Sequence, residues 1–149
     1  MNRNLVSALN GLGWCKLHAG SMDEVIPLQQ QAIRLSPRDP RIGWWYLLIG
    51  TVHLLQSRTD EAIVWLEKAR SAMPAVPSLH SFLASAYALN GEIERAAAEL
   101  AEARRWRGDL FSSIAHLKAR RWTSWAPKTR ALFEATYLVG LRKAGMPEE

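Results

Sequence analysis

A chain of 149 residues with 48% hydrophobic content is long enough for one domain or a short repeat array and too apolar for intrinsic disorder. Its net charge of +5 is unevenly placed: residues 1–103 carry nine Lys and Arg against ten Asp and Glu, whereas residues 104–149 carry ten against four. The single cysteine, Cys15, excludes an intrachain disulfide and a cysteine metal cluster, and no apolar run reaches the roughly 20 residues that span a bilayer.

The opening residues, MNRNLVSALNGLGWCK, lack the long apolar stretch of a signal peptide. A cytoplasmic location is therefore expected. Leu5, Leu9, Leu12, Cys15 and Ala19 recur at steps of three and four, which predicts a helix over about 4–19 with Cys15 as a small buried thiol. Gly20-Ser21 breaks it, and Ser21 with Glu24 has the form of a capping box for a second helix reaching Leu35. Pro27 lacks an amide donor, so it kinks that helix or delays its start. The run Ser36-Pro37-Arg38-Asp39-Pro40 is a break.

A second helical pair follows at about 41–56 and 59–72, with Ser57-Arg58 beginning the turn. Asp60 and Glu61 sit in the first turn of the latter helix, where the dipole favours negative charge. A third pair is predicted at about 78–90 and 92–105, separated by Asn90-Gly91. Beyond Gly108 the periodicity predicts a short helix over 110–120, a turn at 121–127, one helix over 128–144 and a frayed end from Gly145. No stretch alternates like a strand.

Gly13, Gly50 and Ala84 take the same place in the first helix of each pair. Val25, Ala62 and Ala96 come early in each second helix, Ala32, Ala69 and Ala103 seven residues later, and Pro37, Pro74 and Gly108 close each unit. The spacing is 37 and then 34 residues, with the surplus in Arg38-Asp39-Pro40. This resembles the tetratricopeptide repeat, whose helix pairs cross at small residues with a period of about 34. The resemblance covers about residues 6–108 and is weakest in the first unit, where Lys16 and Gln29 replace large apolar residues. It implies an all-α, tetratricopeptide-like helical-hairpin solenoid of three pairs, at about 5–37, 41–74 and 76–108, with basic C-terminal capping helices over 109–149.

A narrower resemblance rests on residues 35–74, 80–105 and 130–149, which look like the C-terminal repeat region of bacterial adenylate/guanylate cyclase-type regulatory proteins. It implies a non-catalytic regulatory part of a signalling protein. The alternative is a fragment of a cyclase whose catalytic domain lies elsewhere. The absence of a capping segment before the first helix fits a piece of a longer protein with a covalently attached upstream signalling domain.

Nothing in the sequence has the spacing of a phosphate-binding loop or a zinc helix, so no catalytic residue, cofactor or metal is expected. His53 and His80 align with Tyr87 and Tyr46 and are expected to pack. Glu92, Glu94, Glu99 and Glu102 are expected on a solvated face. In arrays of this family the first helix of each pair lines a concave groove. That analogy places Asn10, Trp14, Leu17, Trp44, Leu47, Thr51, Ser78, Ser81 and Ser85 along a groove for a protein or peptide. Trp14 and Trp44 are its candidate anchors. Only Asn10 resembles the polar residues with which family members hold a C-terminal carboxylate. In the basic tail, Trp106, Trp122 and Trp125 lie among arginines and lysines. They are expected to seal the last repeat rather than bind nucleic acid.

Overall fold

The computed structural model describes residues 3–121 and 125–149. Its elements are helices α1 (Arg3–Ala19), α2 (Val25–Leu35), α3 (Ile42–Leu55), α4 (Thr59–Ala72), α5 (Pro77–Leu89), α6 (Ile93–Arg107), α7 (Ile114–Arg121), α8 (Pro127–Ala135) and α9 (Tyr137–Lys143), with a 3-10 turn at Met22–Glu24. The chain is an all-α solenoid of helix pairs. α1 packs on α2, α3 on α4 and α5 on α6, and the pairs stack through α2–α3 and α4–α5. Helices α1, α3 and α5 form the inner layer, and α8 and α9 close over it.

Small residues set the crossings. Gly13, Gly50 and Ala84 are all buried, as are Val25, Ala62 and Ala96, and Ala32, Ala69 and Ala103. A Cβ at Gly50 would lie 2.7 Å from Leu66 Cγ and 3.2 Å from the Leu66 amide nitrogen, so at that crossing Leu66 of α4 packs directly on the bare backbone of α3. Large residues fill the remaining space. Trp45 joins Val6, Leu9 and Ala32 in a cluster between the first two pairs, while the main core runs from Leu17 through α3, α5 and α6 to α9.

The three hairpin turns are built alike. Gly20, Ser57 and Gly91 each take a positive φ, of 89°, 62° and 83°. After each, an amide reaches back five residues: Ser21 to the Lys16 carbonyl at 2.8 Å, Arg58 to His53 at 2.8 Å and Glu92 to Tyr87 at 2.9 Å. This is the Schellman closure, which satisfies carbonyls at a helix end. Ser57 adopts the left-handed backbone at a cost that glycine avoids. Ser57→Gly should therefore stabilise the fold by about 1 kcal/mol, read as a higher urea midpoint; an unchanged or lower midpoint would contradict the turn geometry.

Four local expectations change. Ser21 makes no side-chain cap bond. Glu24 instead pairs with Lys16 at 3.2 Å, and α2 begins at Val25. Pro27 then falls in the first turn, where its missing amide has no partner to lose. The last predicted helix is two, broken at Thr136 (φ −126°, ψ −75°), whose hydroxyl donates to the Leu132 carbonyl at 2.7 Å. The break lets α8 pack on α1 and α3 while α9 packs on α5. The terminus is tied rather than frayed: Met146 is buried, and the carbonyls of Pro147 and Glu148 accept from the Ile114 and Ala115 amides, both at 2.9 Å. Cys15 is exposed, not buried. It shares with Leu5, Ala8, Leu12 and Ala19 the face of α1 turned away from its neighbours.

Candidate protein-binding surface

The repeat register places the candidate residues in rows across the inner layer. Trp44 aligns with Ser78, Asn10 with Leu47 and Ser81, and Trp14 with Thr51 and Ser85. Over the two lower rows the face is occupied by the chain itself. Thr129 donates to the Leu17 carbonyl at 2.7 Å, and the Ala126 amide to the His18 carbonyl at 2.9 Å. Phe133 stacks on Trp125 with centroids 4.2 Å apart and tilts against Phe82 at 6.3 Å. The Tyr137 hydroxyl lies 2.7 Å from Ser81 Oγ, and Ser85 Oγ donates to the Tyr137 carbonyl at 2.9 Å. The apolar face of α8–α9 drives this docking, because Phe133, Tyr137, Leu138 and Leu141 are all buried by it.

Leu17, Leu47, Thr51, Ser81 and Ser85 are therefore interior residues. Thr51 is satisfied locally, donating to the Leu47 carbonyl at 2.8 Å. Asn10, Trp14 and Ser78 are half-buried, and Trp14 packs against the main core. Trp44 alone of the nine is exposed, at 41%. The Asn10 Oδ1 atom is buried and accepts no hydrogen bond among the described residues. The two candidate anchors separate: Trp14 packs at the edge of the core and Trp44 is exposed, while its neighbour Trp45 is buried.

The outer layer holds polar joints that sequence reading missed. Glu99 is only 8% exposed rather than solvated. His80 Nδ1 lies 2.6 Å from Glu99 Oε2, His80 Nε2 lies 2.6 Å from the Pro74 carbonyl, and Arg70 pairs with Glu99 Oε1. A carboxylate and a carbonyl both accept, so both ring nitrogens donate and His80 is an imidazolium. The Glu99 hydrogen bond raises the His80 pKa, against the cost of burial. Burial pushes Glu99 up, but the hydrogen bond from His80 and the charge of Arg70 carry it below the usual carboxylate range. His80 is thus an ion-paired residue of the α4–α5–α6 joint, not only a packing one.

Across the same joint the Tyr87 hydroxyl donates to Glu67 at 2.6 Å, and Arg95 reaches both groups. Burial and that carboxylate push the Tyr87 hydroxyl up to about 12. His53 is half-buried and accepts from Arg58 Nε at 2.8 Å; burial lowers its pKa. No local spacing links His80 to Glu99, which is why neither helix revealed the pair. The cleft of about 410 Å³ above them offers no unpaired base among these groups, since both Glu99 oxygens and both His80 nitrogens are engaged. No group of three or more His, Cys, Asp or Glu gathers as a metal site among the described residues, and no described helix is long and apolar enough to cross a membrane.

Part of the basic tail's charge is paired in place. Lys118 pairs with Glu134, Arg142 with Glu148, and Arg107 and Arg120 with Asp109. Trp125 seals the α8 face, whereas Trp106 is 51% exposed with Arg105 over its ring. Trp122 lies outside the described residues.

Two sequence models of one family, both described as Tetratricopeptide repeat, match residues 4–75 and 53–120, which between them span most of the chain. No curated protein matches the chain. The repeat register, the small-residue crossings and these two matches agree, and the chain belongs to the tetratricopeptide repeat proteins.

Proposed function

We propose that this protein–protein interaction module takes its partner on the part of the inner face that α8 and α9 leave open, with Trp44 as the anchor. Asn10, Trp14 and Ser78 border that strip. The supporting observation is the partial exposure of an indole, at 41%, on an inner-layer helix whose residues Trp45 and Leu47 are buried. A rigid aromatic of this kind provides large contact area at low entropic cost. Leu17, Leu47, Thr51, Ser81 and Ser85 join the surface only if α8–α9 lifts away.

The resemblance of residues 35–74 to the repeat region of cyclase-type regulatory proteins extends the proposal. The module then serves a signalling domain in the bacterial cytoplasm, covalently attached upstream or supplied in trans. An in-frame effector domain upstream in the genome would support that extension, and its absence would leave the trans arrangement.

Affinity capture with wild-type and Trp44→Ala chains tests the core of the proposal. Truncating a central anchor costs about 2 kcal/mol, or roughly thirtyfold in affinity. Equal recovery of every partner by both chains would remove Trp44 from the binding surface.

A further inference from the structure

A cleft of about 550 Å³ opens where the start of α1 meets the α2–α3 loop, lined by Arg3, Ser36, Arg38, Asp39, Pro40 and Arg41. One carboxylate and three guanidinium groups share it. The carboxylate is fully engaged. Asp39 accepts from the Arg41 amide at 2.8 Å, from Arg41 Nε at 3.0 Å and from Arg41 Nη2 at 2.9 Å. Those hydrogen bonds hold its pKa below the usual aspartate range. Arg41 Nη1 donates onward to Ser7 Oγ at 2.6 Å, so the loop is pinned to α1.

Arg3 and Arg38 make no direct bond to Asp39, although the Arg3 charge also favours its carboxylate. Both are exposed, and neither makes a hydrogen bond or ion pair among the described residues. Pro37 and Pro40 restrict the backbone on either side of Arg38, so less backbone freedom is lost when a ligand arrives. The cleft is thus net positive on a repeat body that is net −1 over residues 1–103. A nucleic acid demands a continuous basic track, which this body lacks. A short acidic segment demands only one such cleft. Trp44 stands three residues beyond Arg41, in the first turn of α3, so an exposed apolar side chain follows the cleft closely in the chain.

We propose that this cleft docks an acidic peptide segment, its carboxylates on Arg3 and Arg38 and a flanking apolar side chain on Trp44. The assignment rests on the proposal that partners bind at Trp44 and adds the chemistry they must carry. Charge complementarity selects the peptide: two exposed guanidinium groups without a hydrogen-bond partner among the described residues can each take a carboxylate bidentately.

Fluorescence anisotropy with a labelled dodecapeptide of Glu-Glu-Leu triplets, beside its Gln-Gln-Leu counterpart, tests it. The Glu peptide should bind about tenfold tighter or better, and raising salt from about 0.05 M to about 0.3 M should weaken it. The double variant Arg3→Glu/Arg38→Glu should lose about tenfold or more, because it replaces two attractions by two repulsions. Both sites are exposed, so an unchanged circular-dichroism melt will verify the fold. No binding by wild type, equal binding of the Gln peptide, or an unaffected double variant overturns the assignment. Loss with Trp44→Ala but not with the double variant overturns the acidic chemistry and leaves the Trp44 site standing. An oligothymidine dodecamer that binds as tightly and is lost in the double variant overturns it in favour of nucleic acid.

Discussion

Replacing Gly140 by valine will lower the unfolding free energy by about 3 kcal/mol, the upper range for overpacking a filled contact. A Cβ at this position would lie 2.5 Å from the Ser85 carbonyl oxygen and 2.8 Å from its Cα. These are backbone atoms of a buried helix and have nowhere to go. α9 must therefore lift from α5, which breaks the Ser85–Tyr137 hydrogen bond and the Ser81–Tyr137 contact and returns buried Leu138 and Leu141 to water. Chemical denaturation will report the loss. Hydrogen exchange should show α8 and α9 losing protection while α3 to α6 keep theirs. Unchanged stability would mean that α9 does not sit on α5. The same variant bears on binding: a partner that competes with α9 for the inner face will bind it more tightly, whereas one that docks at Trp44 will not distinguish it.

Glu99→Ala should cost about 3 kcal/mol, because it strands the His80 and Arg70 charges at the α4–α6 joint. Arg70 is partly solvated, which keeps the loss at the low end of that expected for a broken buried pair. The pair also predicts a pH dependence. The folded His80 pKa is raised above its ordinary 6.5, so its contribution is complete below 6.5 and is lost as pH rises through the elevated value. The folded Glu99 pKa is lowered from 4.5, so its contribution is complete above 4.5 and is lost as pH falls through the depressed value.

The joint is therefore strongest between about pH 4.5 and 6.5. Glu102 on α6 also favours the imidazolium, and Arg70 on α4 favours the Glu99 carboxylate. His18 and His53 are lowered by burial and act with the opposite sign, so the wild-type curve alone blends these terms. The difference in stability between wild type and His80→Gln isolates His80. That difference should shrink as pH rises above 6.5; a constant difference would show that His80 is not charged in the fold.

The helix spans were legible because each depends on residues a turn apart. Gly50, Ala62 and Ala69 marked the crossing of α3 and α4 by size alone, and Asn90-Gly91 marked a turn by its backbone tolerance. The same locality misled at Ser21 and Glu24, where the capping spacing was present but Lys16, from the preceding helix, drew the Glu24 carboxylate away. It misled again at Glu99, whose helix lies in the outer layer and whose burial depends on His80 and Arg70 from two other elements.

Trp44 shows the division for the candidate surface. Repeat register assigned it to the inner layer and separated it from Trp45, and the structure leaves it exposed. Register could not show that α8 and α9 would cover Ser81 and Ser85, since Tyr137 lies more than fifty residues from both. Nor could it show that Arg38 and Arg3 would line one cleft, because the α2–α3 loop and the start of α1 meet only after the first two pairs stack. By itself the sequence determined the helices of the three pairs, their pairing and the repeat, all written in short-range periodicity and residue size. Only the tertiary structure decided which faces remain in water, because burial is settled by segments that approach from afar to shed their own apolar surface.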